Sequence, residues 1–189
     1  MDDLSSIPDL QLPTILERTP LARSRLFTVE GLHLRFSNGA ERHYERLRGS
    51  GRDAVMIVAI DGEALLLVRE YAAGTHCYEL GLPKGLVDAG ESAEAAALRE
   101  LQEEAGFAAR RLTHLRTLTT APTYMGSRIQ IWLAEDLYPA PLQGDEPEPL
   151  QLLRWPLARL DELLVSDALH ESRCLAALFL LREQLRSRP

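Results

Sequence analysis

Two cysteines in 189 residues leave little room for a disulfide framework. Cys77 and Cys174 lie far apart and in no metal-ligand spacing, so both read as ordinary reduced thiols of a cytoplasmic protein. The five histidines are scattered singly and point to structural or surface roles. No apolar run approaches the roughly 18 residues of a membrane span. The opening MDDLSSIPDL is acidic and polar, unlike a secretory signal. Positive charge is also short: 21 Lys and Arg against 28 Asp and Glu give a formal charge of −7. That balance argues against broad binding to nucleic acid or to a membrane surface. No internal repeat or low-complexity tract is present.

What remains is a chain with 46% hydrophobic residues, enough for a proper core. The simplest division is an N-terminal arm and β-hairpin region over residues 1–50 and one domain over 51–189. Residues 1–20 carry Pro8, Pro13 and Pro20 without a clear period and read as an extended arm. Runs 26–36 and 40–47 flank Ser37-Asn38-Gly39, a strong hairpin signal that could form a platform or a dimer contact. Runs 54–60 and 64–68 are almost wholly apolar, as strands buried on both faces are. Further strands are predicted at 114–121, 129–134 and 150–155, and helices at 157–165 and 169–186. In the last helix Leu175, Leu178, Phe179 and Arg182 share a face suited to core packing. Residues 138–149 hold four prolines among Asp145, Glu146 and Glu148, the composition of a loop.

The most informative stretch is residues 85–107, GLVDAGESAEAAALRELQEEAGF. Its first part is loop-like, and 92–105 is helical. Ser92 suits the N-cap, Glu94 the first turn and Gly106 the position after the last turn. At about 100° per residue Glu100, Glu103 and Glu104 share one face, while Leu98, Leu101 and Ala105 form a separate stripe for packing on a sheet. Like charges on adjacent turns repel. A divalent cation is the natural compensation, and hard oxygen ligands suit Mg²⁺ or Mn²⁺. Glu100 and Glu104 can point at one metal cluster, with Glu103 completing it or orienting a water. Arg99 reads as an internal partner that orients a carboxylate, and Glu91 as an anchor between loop and helix.

The spacing G-x5-E-x7-R-E-U-x-E-E-x-G-U, with U a bulky apolar residue, is met without departure at Gly85, Glu91, Arg99, Glu100, Leu101, Glu103, Glu104, Gly106 and Phe107. In this the chain resembles the Nudix hydrolases. The resemblance implies an α/β/α sandwich around a mixed sheet, preceded here by a small N-terminal β-hairpin region. It also implies metal-dependent hydrolysis of a nucleoside diphosphate linked to another moiety, with the carbonyl of Lys84 as a further metal ligand. Phrases along nearly the whole chain, among them REYAAGT, YELGLPKGL and GDEPEPL, resemble the family's branch acting on ADP-ribose, NADH and diadenosine polyphosphates with release of AMP. Pro122 resembles a marker of ADP-ribose pyrophosphatases, and Tyr124 a tyrosine of diadenosine polyphosphate hydrolases. Arg69 and Glu79 resemble substrate-binding positions. The branch carries its base on an acidic loop, for which Glu148 is the best match and Glu146 the second. The expected partner is a small nucleotide, and the expected assembly a homodimer. The alternatives are action on another nucleoside diphosphate derivative, such as a GDP-sugar, and a non-catalytic ADP-ribose sensor. The complete set of glutamates speaks against the sensor.

Overall fold

Strands that are apolar on both faces need cover on both sides, and the computed structural model, which describes residues 9–49 and 51–187, provides it. The sheet is built from β4 (Ala54–Asp61), β5 (Ala64–Ala72), β8 (Phe107–Thr119), β9 (Arg128–Pro139) and β10 (Gln151–Pro156), with the short β6 (Cys77–Gly81) and β7 (Lys84–Leu86). Its order is β10-β5-β4-β9-β8. The β4–β9 pair is parallel and the other pairs are antiparallel, so the sheet is mixed.

Alternation along β4 sends its side chains to two cores. Val55, Ile57 and Ala59 meet helix α1 (Ala93–Ala105) through Ala96, Ala97, Leu101 and Ala105. Met56, Val58 and Ile60 meet the opposite layer, made by α2 (Leu160–Leu164) and α3 (Ser172–Arg186). This is the α/β/α sandwich. One detail differs from the sequence expectation: Leu98 is only half-buried, and the contact runs through Leu101 and the alanines. Small side chains let the helix lie close to the strands. The apolar stripe of α3 is also rotated, to Cys174, Ala177, Leu178 and Leu181. Phe179 is 42% exposed, with the Arg182 guanidinium over its ring at 4.6 Å.

β4 and β5 pair over only Ala59↔Leu66 to Asp61↔Ala64 and then part. β7 pairs with β4 at 54–56, and β6 pairs with β5 at 68–72. The segment 77–86 thus fills a fork between two central strands, and the residues leading into the acidic helix sit at the strand ends.

The N-terminal strands form a second, compact unit together with Ala121–Gly126. Here β1 (Thr14–Arg23), β2 (Thr28–Arg35) and β3 (Glu41–Arg48) make an antiparallel sheet. β2 and β3 turn at Asn38-Gly39, where Gly39 takes φ 81° and the Asn38 side chain accepts from the Ala40 amide at 3.0 Å. From Thr14 onward the expected arm is a strand: β1 is an edge strand, and Pro20 is tolerated beside a register shift between Pro20 and Ala22. The first part of that arm, residues 1–8, lies outside the described residues. No helix among the described residues is long and apolar enough to cross a membrane.

Candidate active site

Helix α1 starts where the Ser92 hydroxyl accepts from the Ala95 amide, and ends at Gly106 in the left-handed conformation. That fixes the phase of its acidic face. Arg99 gathers the carboxylates. Its Nε and Nη2 hold both oxygens of Glu91 at 3.0 Å, Nη2 also donates to the Leu86 carbonyl at 3.0 Å, and Nη1 donates to Glu100 at 2.7 Å and Glu103 at 3.0 Å. Glu91 accepts in addition from the Asp88 amide, closing the loop that precedes the helix. An arginine fork in this position sets the geometry of three carboxylates at once.

Gly85 lies directly against this cluster. A Cβ there would stand 2.0 Å from a Glu100 carboxylate oxygen, so only glycine lets that carboxylate rest on the β7 backbone. Gly85→Ala must push the Glu100 carboxylate aside. The expected result is a drop of about 10–100-fold in turnover, with a higher metal concentration for half-maximal rate.

One residue earlier, the Lys84 amide donates to Glu104 at 3.1 Å, and the Lys84 ammonium pairs with Glu70. Burial pushes the Glu104 carboxyl up to about 8, against the partial compensation of Lys84. Burial also raises Glu100 in spite of Arg99. For Lys84 burial works the other way, but the Glu70 and Glu104 charges outweigh it and the ammonium is held above its usual range. Burial therefore disfavours the ionised form of Glu100 and Glu104, a cost that a bound cation would offset.

Hard oxygens under-compensated in this way fit a divalent cation. Arg99 and the Lys84 amide use one oxygen each of Glu100, Glu103 and Glu104, and the second oxygen of each has no protein partner among the described residues. Because Arg99 draws Glu100 and Glu103 toward itself, no three acidic, histidine or cysteine groups converge on a single point among the described residues. The donor set suits the ion, and binding it requires these side chains to adjust.

The raised Glu104 makes a prediction for the metal-free protein. Its folded value lies above its ordinary 4.5, so its stabilising contribution is complete below about pH 4.5 and is lost as pH rises through about 8. The melting temperature measured in EDTA should fall across that window. Glu104→Gln should flatten the fall, since relieving even about 1 kcal/mol moves a chain of this length by about 2–4 °C.

The carboxylates line a cleft of about 770 Å³, with Glu70, Lys84, Gly85 and Arg99 on its walls and Arg52 and Arg173 also lining it. Asp145 and Glu146 complete it from the 140–150 loop. Burial, followed by the Glu70 and Asp145 charges, raises the Glu146 carboxyl. Glu148, the first choice from the sequence, lies outside this cleft but lines an adjoining cavity of about 260 Å³ together with Glu100, Glu103, Glu104 and Glu146. It accepts a hydrogen bond from the Tyr78 hydroxyl and lines a side cavity of about 110 Å³ with Arg69, Tyr71 and Tyr78. Arg69 donates to the Tyr78 carbonyl at 3.4 Å. Glu79 lines none of these cavities, because Thr75 at 2.7 Å and His170 at 2.8 Å hold its carboxylate. Pro122 and Tyr124 belong to the N-terminal unit, where the Tyr124 carbonyl accepts from the Leu47 amide at 2.7 Å. Arg52 and Arg173 were not singled out from the sequence, and Asp145 only as part of the acidic loop. For Glu70 a signal existed in the polar run that ends β5.

A profile of the NUDIX domain matches residues 51–178. The chain is a Nudix hydrolase. Residues 13–46 match the N-terminal domain of NudE-type Nudix hydrolases. Along its length the chain is 56% identical over 177 residues to the ADP compounds hydrolase NudE of Escherichia coli, covering 94% of this chain and 95% of that protein. An ADP-ribose pyrophosphatase of Bacillus subtilis is 28% identical over 127 residues, 65% of this chain and 68% of that one. A crystal structure of an ADP compounds hydrolase superposes with a TM-score of 0.90 at 55% identity, over 95% of this chain and 97% of that one. Nudix hydrolases generally require a divalent metal, in keeping with the donor set around Gly85.

Proposed function

We propose that this Nudix hydrolase cleaves the diphosphate of ADP-linked compounds, namely ADP-ribose, NADH and diadenosine polyphosphates, with release of AMP. The observation that carries the reading is the cleft lined together by Glu100, Glu103, Glu104, Gly85 and the acidic-loop residues Asp145 and Glu146. The end-to-end likeness to an ADP compounds hydrolase supports the ADP moiety. Glu100, Glu103, Glu104 and the Lys84 carbonyl would hold Mg²⁺ or Mn²⁺, which would supply charge neutralisation at the diphosphate and assist the ionisation of water. Arg99 keeps the carboxylates in register, and Arg52 and Arg173 add positive charge to the cleft wall. Glu146 takes the proton of the attacking water. The water oxygen bonds to one phosphorus as the bridging P–O bond breaks, so ADP-ribose gives AMP and ribose 5-phosphate.

The family matches at 13–46 and 51–178 support a division into an N-terminal region of residues 1–50 and a hydrolase domain of 51–189. Exposed Leu21, Leu26 and Phe27 in the N-terminal region support a homodimer, and the composition supports a cytoplasmic enzyme. A panel of nucleoside diphosphate derivatives with chromatographic product analysis tests the substrate class. ADP-ribose, NADH and diadenosine polyphosphates should yield AMP far faster than a GDP-sugar yields GMP; the reverse order would contradict the ADP reading.

A further inference from the structure

The 140–150 loop, which carries Glu146, is fastened at one end to α1. The Ala140 amide donates to the Gly106 carbonyl at 3.0 Å, and Gln102 both donates to the Ala140 carbonyl at 3.1 Å and accepts from the Leu142 amide at 3.2 Å. Gly144 then lies on Glu103, whose Cβ would be 3.5 Å from a Cβ added there. Beyond Glu146 the described hydrogen bond that holds the loop is the one from Tyr78 to Glu148. Tyr78 is a fixed donor. Its ring meets Tyr71 edge-on at 5.8 Å, the Arg69 guanidinium lies 5.9 Å over it, and the Tyr71 hydroxyl is itself held by His76 at 2.8 Å. Pro147 and Pro149 fix φ on either side of Glu148 and restrict the residues before them, so an anchor at Glu148 is transmitted to Glu146.

We infer that Tyr78 is a positioning residue, whose hydroxyl anchors Glu148 and so holds Glu146 over the carboxylate cleft. This rests on the reading of Glu146 as the proton acceptor. Tyr78 lines only the side cavity, outside both cavities that Glu100, Glu103 and Glu104 line. Glu148 contributes an acceptor oxygen, and a glutamine offers one in the same place. The bond to Glu148 also holds the Tyr78 phenol above its ordinary range, which keeps it a donor at any pH used for assay. Tyr78 is 49% exposed, so removing its hydroxyl leaves the core intact.

The test compares Tyr78→Phe, Glu148→Ala, Glu148→Gln and the Tyr78→Phe/Glu148→Ala double variant in the full-length protein, with Mg²⁺ and ADP-ribose. Misplacement of a catalytic group by about 1 Å can reduce rate by up to 10²-fold. Tyr78→Phe and Glu148→Ala should each lower kcat by about 10–100-fold with KM little changed. The double variant should be no worse than either, because both remove the same bond. Glu148→Gln should restore most of what Glu148→Ala loses. Hydrogen exchange of the loop amides should quicken in Tyr78→Phe whatever the turnover. Unchanged exchange, or Glu148→Gln as impaired as Glu148→Ala, overturns the anchor. Faster exchange together with normal turnover in Glu146→Gln instead overturns the Glu146 reading, and the inference with it.

Discussion

Glu104→Gln should lower AMP release from ADP-ribose by roughly 10³-fold at saturating metal while the fold survives. The substitution keeps the side chain's size and its acceptor for the Lys84 amide, and removes only the charge. A metal ion contributes several kcal/mol of charge stabilisation in the transition state. At about 1.4 kcal/mol per decade, losing a large part of that gives an effect of this order. The same variant should melt higher than wild type at pH 8 in EDTA, because it removes a buried carboxylate, raised to about 8, that Lys84 only partly compensates. Loss of activity joined to a gain in metal-free stability separates a functional carboxylate from a structural one. Turnover within about threefold of wild type would remove Glu104 from the metal set.

Glu146→Gln should reduce kcat by roughly 10²–10⁴-fold, the usual scale for a general base. Glu146 lines the cleft beside Glu100, Glu103 and Glu104, whereas Glu148 lies outside it with its carboxylate bonded to Tyr78. Its carboxyl is raised by burial and then by Glu70 and Asp145, which brings a base nearer to working pH. The base must be ionised, so in wild type kcat should fall as pH drops through its titration, and in Glu146→Gln that acid limb should vanish. Metal affinity should change little. Normal turnover would leave the activation of water to the helix carboxylates.

The box helix was legible in the sequence because its signals are local: Ser92 and Gly106 mark its ends, and helical period puts three glutamates on one face. Strands β4 and β5 were legible because burial on both faces leaves an apolar run. Expectation failed where a contact depends on partners remote in the chain. Leu98 and Phe179 sit on the edges of apolar stripes, and the exact facing of a helix is set by the sheet beneath it. β1 was hidden by prolines that an edge strand tolerates. The Lys84–Glu70 pair exists only because β6 and β7 fill the fork between β4 and β5, which no spacing reveals. The hydrogen bond from Tyr78 to Glu148, 70 residues apart, likewise has no local signal in the sequence.

The claim that the Gly85 cleft is a metal-dependent hydrolytic centre is tested most directly by titrating Mg²⁺ into EDTA-treated protein and measuring AMP released from ADP-ribose. Release should be absent at the start, rise with Mg²⁺ to saturation, and need far more Mg²⁺ in Gly85→Ala than in wild type. AMP released undiminished in EDTA, or a Gly85→Ala titration identical to wild type, would contradict the account.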